Sequence, residues 1–160
     1  MKKFLYLLVA LPLLWCLSAC NDDDKDDMVR VTLSLDYSGA SAEDGVLYVL
    51  QGETLDINAL RAVPLEGSGD ATITLVKYYW DNRPLGFSVD PPFGISIDTS
   101  NVKIGAHTLT VIANVAQVGK PLSEVAVNYP IVIVENTDEQ PGVNPSSTVN
   151  TISVPAQVAN

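Results

Sequence analysis

Between Met28 and Glu135 apolar residues recur with a period of two, and that period sets what the chain can fold into. Val29, Val31, Leu33 and Leu35 alternate with Arg30, Thr32, Ser34 and Asp36, so an extended backbone sends one set to a core face and the other to water. No run beyond residue 28 places apolar residues at the i, i+3, i+4 and i+7 spacing of an amphipathic helix. Val46 to Leu50 and Thr54 to Leu60 flank Gln51-Gly52-Glu53 and read as a strand pair or one bent strand. Ala71 to Trp80, rich in β-branched and aromatic residues, reads as a central strand; Leu85 to Val89 returns as its hairpin partner after Asp81-Asn82-Arg83-Pro84. Asp90-Pro91-Pro92 stops regular pairing, and alternation resumes at Phe93, Ile95 and Ile97. Gly105 to Val115 and Val125 to Glu135 complete the series, and Pro130, with no N–H to donate, implies an edge or a bulge in the last strand. Seven to eight strands over 29–135 predict one all-β domain, an antiparallel β-sandwich.

The first 19 residues have a different character. Met1-Lys2-Lys3 is a positive start, and Phe4 to Leu17 is an uncharged apolar run interrupted by Pro12. That run is shorter than the roughly 20 residues a spanning helix needs, and it ends in small residues, as a cleavable export signal does. Its end, Leu17-Ser18-Ala19-Cys20, resembles the lipobox of bacterial lipoproteins. The resemblance implies cleavage before Cys20, a thioether-linked diacylglycerol and an N-acyl chain on Cys20, and attachment to a membrane through lipid; no other cofactor is implied. Several acyl chains hold a protein firmly, because each buried methylene contributes about 0.8 kcal/mol.

Asn21 to Asp27 follows with Asp22, Asp23, Asp24, Asp26 and Asp27, and has no apolar residue to pack. Residues 20–28 therefore read as an acidic tether. The run resembles the lipoprotein export signal of the Bacteroidota, which implies display on the outer face of the outer membrane. Two plainer readings stand beside it: a solvated spacer, or a weak cation site, although the spaced ligands and turn glycine of a calcium loop are missing.

Cys16 lies in the leader and Cys20 carries the lipid, so the processed chain has no free thiol; disulfides, thiolate metal sites and cysteine nucleophiles drop out. Loss of Lys2 and Lys3 leaves 7 basic residues against 19 acidic ones, a formal charge of −12. Such a surface repels phosphate at long range, which argues against nucleic acid as a ligand.

Tyr78-Tyr79-Trp80-Asp81-Asn82-Arg83-Pro84-Leu85-Gly86 and Gly105-Ala106-His107-Thr108-Leu109-Thr110-Val111 resemble bacterial immunoglobulin-like domains, which have an aromatic-rich third strand and a Gly-x-[Tyr/His]-x-Leu-x-Val penultimate strand. The resemblance covers about half of the domain. It implies that Trp80 or Tyr78 faces the core and that His107 stands where such domains often carry a corner tyrosine; the cysteine pair of antibody domains is missing.

Tyr79, Trp80, Asp81, Asn82 and Arg83 form the candidate ligand surface, since aromatic faces stack on sugar rings and the polar neighbours bond hydroxyls. Against this, Tyr78, Tyr79 and Trp80 must alternate faces in a strand, which favours core and cross-strand packing for part of the cluster. His107, the lone histidine, fits a structural role bonding nearby backbone better than a catalytic or metal role.

No metalloprotease, nucleophile-elbow, phosphate-loop or dinucleotide motif occurs, so the chain reads as a non-enzyme with no catalytic or metal site. Residues 136–160, with Pro141-Gly142 and Asn144-Pro145-Ser146-Ser147, read as a flexible tail, within which Thr148 to Val154 has the β-branched character of one edge strand. The function expected is a lipid-anchored, surface-exposed binding or adhesion module for a glycan or protein. Beside it stand a structural or accessory subunit of an envelope complex and, third, a hydrolase using paired carboxylates.

Overall fold

The computed structural model describes residues 28–141 and 149–159. The leader 1–19, Cys20 and the tether aspartates Asp22, Asp23, Asp24, Asp26 and Asp27 lie outside the described residues. The strands are β1 (Val31–Ser38), β2 (Ser41–Glu43), β3 (Val46–Leu50), β4 (Thr54–Pro64), β5 (Ala71–Trp80), β6 (Arg83–Ser88), β7 (Ile95–Asp98), β8 (Gly105–Gln117), β9 (Ser123–Val134), β10 (Asn150–Pro155) and β11 (Gln157–Val158).

One sheet runs in the order β10-β1-β4-β7; the other runs β2-β3-β9-β8-β5-β6, with β11 added to β9. β1, β4 and β7 stand where the A, B and E strands of an immunoglobulin-like sandwich stand, and β9, β8 and β5 take the G, F and C places with β6 beside β5. The fold is thus the expected all-β, immunoglobulin-like sandwich, with more strands than the seven or eight counted from sequence and one parallel ladder, β3 on β9.

Alternation builds the core as expected: Val31, Leu33 and Leu35 of β1 and Leu109, Val111, Ala113 and Val115 of β8 are fully buried or nearly so. With no disulfide between the sheets, polar ties cross instead. The Tyr129 hydroxyl donates to the Leu33 carbonyl at 3.2 Å, and the Tyr78 hydroxyl donates to the Phe93 carbonyl. Gln117, only 4 % exposed, accepts from the Arg30 N–H at 2.8 Å and donates to the Gly69 carbonyl at 2.9 Å, holding the start of β1 and the β4–β5 loop to the end of β8.

Three expectations need correction. β3 and β4 are neither a pair nor one bent strand; they sit in different sheets, and the buried Thr99 hydroxyl ties their turn through the Leu50 and Glu53 carbonyls. β9 is interior, not an edge, with β8 on one flank and β3 and β11 on the other. Pro130 is tolerated because Thr108, its partner on β8, directs both backbone groups to Asp81 on the opposite side. Thr108 and Pro130 therefore form a non-hydrogen-bonded pair, and the missing N–H points away from β8, within 127–130, a stretch of β9 that neither the β3 nor the β11 ladder includes.

The third correction concerns the flexible tail expected at 136–160. Its first part is a short 3₁₀ turn at Thr137–Glu139, and residues 142–148 lie outside the described residues. From Asn150 the chain forms β10 along β1, pairing Leu33 with Val154 and Leu35 with Ile152. It then crosses to the other sheet, where β11 pairs Gln157 with Ala126 and Val158 with Val125. Ile152, Val154, Ala156 and Val158 pack against the core while the residues between them face out. The tail is thus a strap over the seam between β1 and β9. Of the edge strand expected at Thr148 to Val154, residues 150–154 lie in β10 and Thr148 lies outside the described residues; composition hid how far the strand character ran.

Candidate ligand-binding site

The candidate residues fall on the β5–β6 hairpin. Asp81 and Asn82 form its two-residue loop with φ of 48° and 65°, the positive pair that the tightest twisted hairpins require and that Asp and Asn adopt most readily among residues with a side chain. Trp80 and Arg83 are the closing pair.

Strand alternation splits the aromatic cluster. Tyr78 and Trp80 point into the sandwich, as the immunoglobulin-like resemblance implied, and Tyr79 points out. The five candidate residues therefore do not form one surface. Trp80, Asp81 and Arg83 join Asn101, Val102, Lys103 and His107 around a pocket of about 440 Å³ at the end of the sandwich. Tyr79 belongs instead to a groove of about 390 Å³ on the outer face, with Leu75, Lys77, Pro84, Gly86 and Phe87. Asn82 lines neither.

The end pocket is organised by His107. Its Nδ1 lies 2.6 Å from Asp81 Oδ2 and its Nε2 lies 2.7 Å from the Lys103 carbonyl oxygen. An ionised carboxylate and a carbonyl only accept, so both ring nitrogens donate, which only the imidazolium can do. Burial pulls the His107 pKa down, but the hydrogen bonds to Asp81 and Lys103 outweigh it and the net shift is upward. Burial likewise works to raise the Asp81 pKa, and His107, the Thr108 N–H at 2.9 Å and the nearby Arg83 charge together bring it below the usual carboxylate range. The Trp80 ring lies 5.2 Å from the His107 ring at a 32° tilt, within cation–π reach of the imidazolium. His107 thus ties the hairpin loop to the segment before β8, and its bond to Lys103 is the nearby backbone contact expected of it.

The outer groove has the opposite chemistry. Phe87 stands 73 % exposed opposite Lys77, and Pro84 stands opposite Tyr79. Lys77 is the groove's one charge, and its Nζ already meets Glu124 at 2.7 Å. A third concavity, along the seam of β4 and β5, has Arg61 as its one charged residue, and Arg61 is engaged by Asp36.

No protein family matches the chain, and no curated protein matches it either. A structural likeness exists to the fibronectin(III)-like modules of Clostridium thermocellum CbhA, at 19 % identity and a TM-score of 0.40, covering 60 % of this chain and 94 % of that one.

Sequence reading missed Phe87, Asn101 and Lys103. Phe87 was assigned only to a hairpin partner strand, yet a phenylalanine two residues after Leu85 and two before Val89 on an outermost strand is a signal for an exposed apolar row. Asn101 and Lys103 lie between β7 and β8, where the sequence has no periodicity to place them.

Proposed function

We propose that the chain is a lipid-anchored, non-enzymatic binding module displayed on the outer face of an outer membrane, and that its outer groove takes a protein ligand. The leader, the Leu17-Ser18-Ala19-Cys20 box and the acidic run after it support anchorage and display. The observation that carries the binding reading is Phe87, 73 % exposed beside Tyr79 on the outermost strand of a sheet. A large exposed apolar side chain in an apolar groove marks an interaction surface. A protein fits better than a glycan, because hydroxyl groups need free polar partners and Lys77 is already held by Glu124.

The test uses intact cells. A photo-crosslinking residue placed at Phe87 is expected to give a discrete protein adduct, and one at Val63, exposed on the opposite sheet, is expected to give none. Protease shaving of the same cells should degrade the natural protein and spare a variant with Asp22, Asp23, Asp24, Asp26 and Asp27 changed to Ala. Equal adducts from both positions would sink the groove as the ligand face; protection of both proteins would replace display by a periplasm-facing envelope subunit.

A further inference from the structure

The end pocket gathers positive charge, unlike the outer groove and the β4–β5 seam, each of which has one charged residue. The whole chain has a formal charge of −10, yet the pocket wall holds Arg83, Lys103 and the His107 imidazolium. Its one acid, Asp81, is already committed: one carboxylate oxygen accepts the His107 proton and the other accepts the Thr108 N–H. Among the described residues the side chains of Arg83 and Lys103 have no hydrogen bond or ion pair, whereas Arg61 and Lys77 are engaged by Asp36 and Glu124. Three cationic groups, one of them Arg83 near enough to act on Asp81, therefore face a single carboxylate, and the concavity keeps a net positive charge. Screening confines the repulsion of distant surface acids to about 8 to 10 Å, so the local cations set the potential inside it.

We propose that this pocket binds the carboxylate of an acidic sugar residue. Arg83 and Lys103 take the carboxylate, Arg83 being able to offer two parallel N–H donors. The parts of Trp80 and His107 that line the pocket add a small apolar wall for C–H groups of a sugar, and the Asn101 amide both donates to and accepts from ring hydroxyls. A pocket of about 440 Å³ lies toward the small end of ligand sites, matching one or two sugar rings. The site is separate from the Tyr79–Phe87 groove, so either can fail without the other.

The test is calorimetric titration of the full chain with glucuronate, glucose, inorganic phosphate and an acetylated dipeptide with a free carboxylate. Glucuronate is expected to bind, with glucose at least about ten-fold weaker, because glucose lacks the carboxylate that forms the charge-assisted bonds to Arg83 and Lys103. Arg83→Gln and Lys103→Gln should each weaken glucuronate about ten-fold, and Lys120→Gln, in the turn at the other end of β8, should leave it unchanged. Thermal midpoints should be close to the natural value in all three variants, since among the described residues none of these side chains makes a hydrogen bond or ion pair. Equal binding of glucose and glucuronate would overturn the proposal, as would indifference to both pocket substitutions. Phosphate or the dipeptide binding as tightly as glucuronate would replace the acidic sugar with a general anion or a peptide terminus.

Discussion

Two outermost strands of this sandwich are built in opposite ways. β10 turns Ile152 and Val154 onto the core and leaves Thr151, Ser153 and Pro155 outside, so the rim it forms is polar. β6 leaves Leu85 and Phe87 exposed at 41 % and 73 %, and Val89, just beyond it, at 51 %. Unpaired sheet edges invite association, and proteins blunt them with polar residues, proline or short length. One edge of each sheet is therefore closed by composition or brevity, the three-residue β2 with Glu43 being the other example, while β6 combines an open flank with an apolar row. Pro84 and the irregular register beside it limit strand addition at one end of β6 without covering Phe87. The contrast separates apolar residues that hold the molecule together from apolar residues available to a partner.

Breaking the closed edge should have the largest effect. Val154→Asp puts a carboxylate against the buried Leu33 and should cost about 3 kcal/mol, lowering the thermal midpoint by about 10 °C. Circular dichroism melting checks this, and a midpoint within 2 °C of the natural protein would mean that β10 is not seated on β1. The open edge should respond in the reverse sense. Leu85→Thr with Phe87→Ser should change stability by no more than about 0.5 kcal/mol while abolishing the adduct formed by a photo-crosslinking residue placed at Leu75 in the same groove. If instead the melting midpoint fell as far as for Val154→Asp, β6 would be packing surface and the contrast would collapse.

How much of this could be read from the residues follows from the same physics. Period-two alternation fixes faces, so Val31, Leu33, Leu35 and Leu109, Val111 were legible as core, and Tyr79 was legible as opposed to its neighbours. Alternation says nothing of which sheet a strand joins. That is why β3 and β4 looked like a pair: the turn at Gln51-Gly52-Glu53 was visible, but Thr99, which ties it from nearly fifty residues away, was not. The strap was obscured because Pro, Gly, Asn and Ser around 141–147 set the composition of the whole tail, whereas four well-spaced apolar residues suffice to seat it. For the site, Trp80, Asp81 and Arg83 were found by being adjacent in sequence; Lys103 and Asn101 reach the same pocket from a loop, through proximity that no local pattern encodes.

The smallest effect sharpens the comparison at the closed edge, where one polar group joins three strands. Asp36 on β1 accepts from both Arg61 guanidinium nitrogens on β4 at 2.7 Å and from the Thr151 hydroxyl on β10 at 2.6 Å. Arg61 first, and Thr151 after it, hold the Asp36 carboxyl below its ordinary value of 3.8. A carboxyl whose pKa is depressed in the folded state contributes stability above its unfolded value and loses it as pH falls through the folded one. The contribution is therefore constant from neutral pH down to about 4 and fades below that, and it is modest because the Arg61 side chain is 55 % exposed to screening water. Amide protection factors at Ile152 and Val154 should drop below pH 4 in the natural protein, ahead of those at Leu109 and Val111 in the β8 core. In Asp36→Asn the early drop should vanish, since the amide does not titrate. Simultaneous loss of protection at both places would mean that the strap opens only with the whole domain, and that the closed edge is part of the core and not a seal laid upon it.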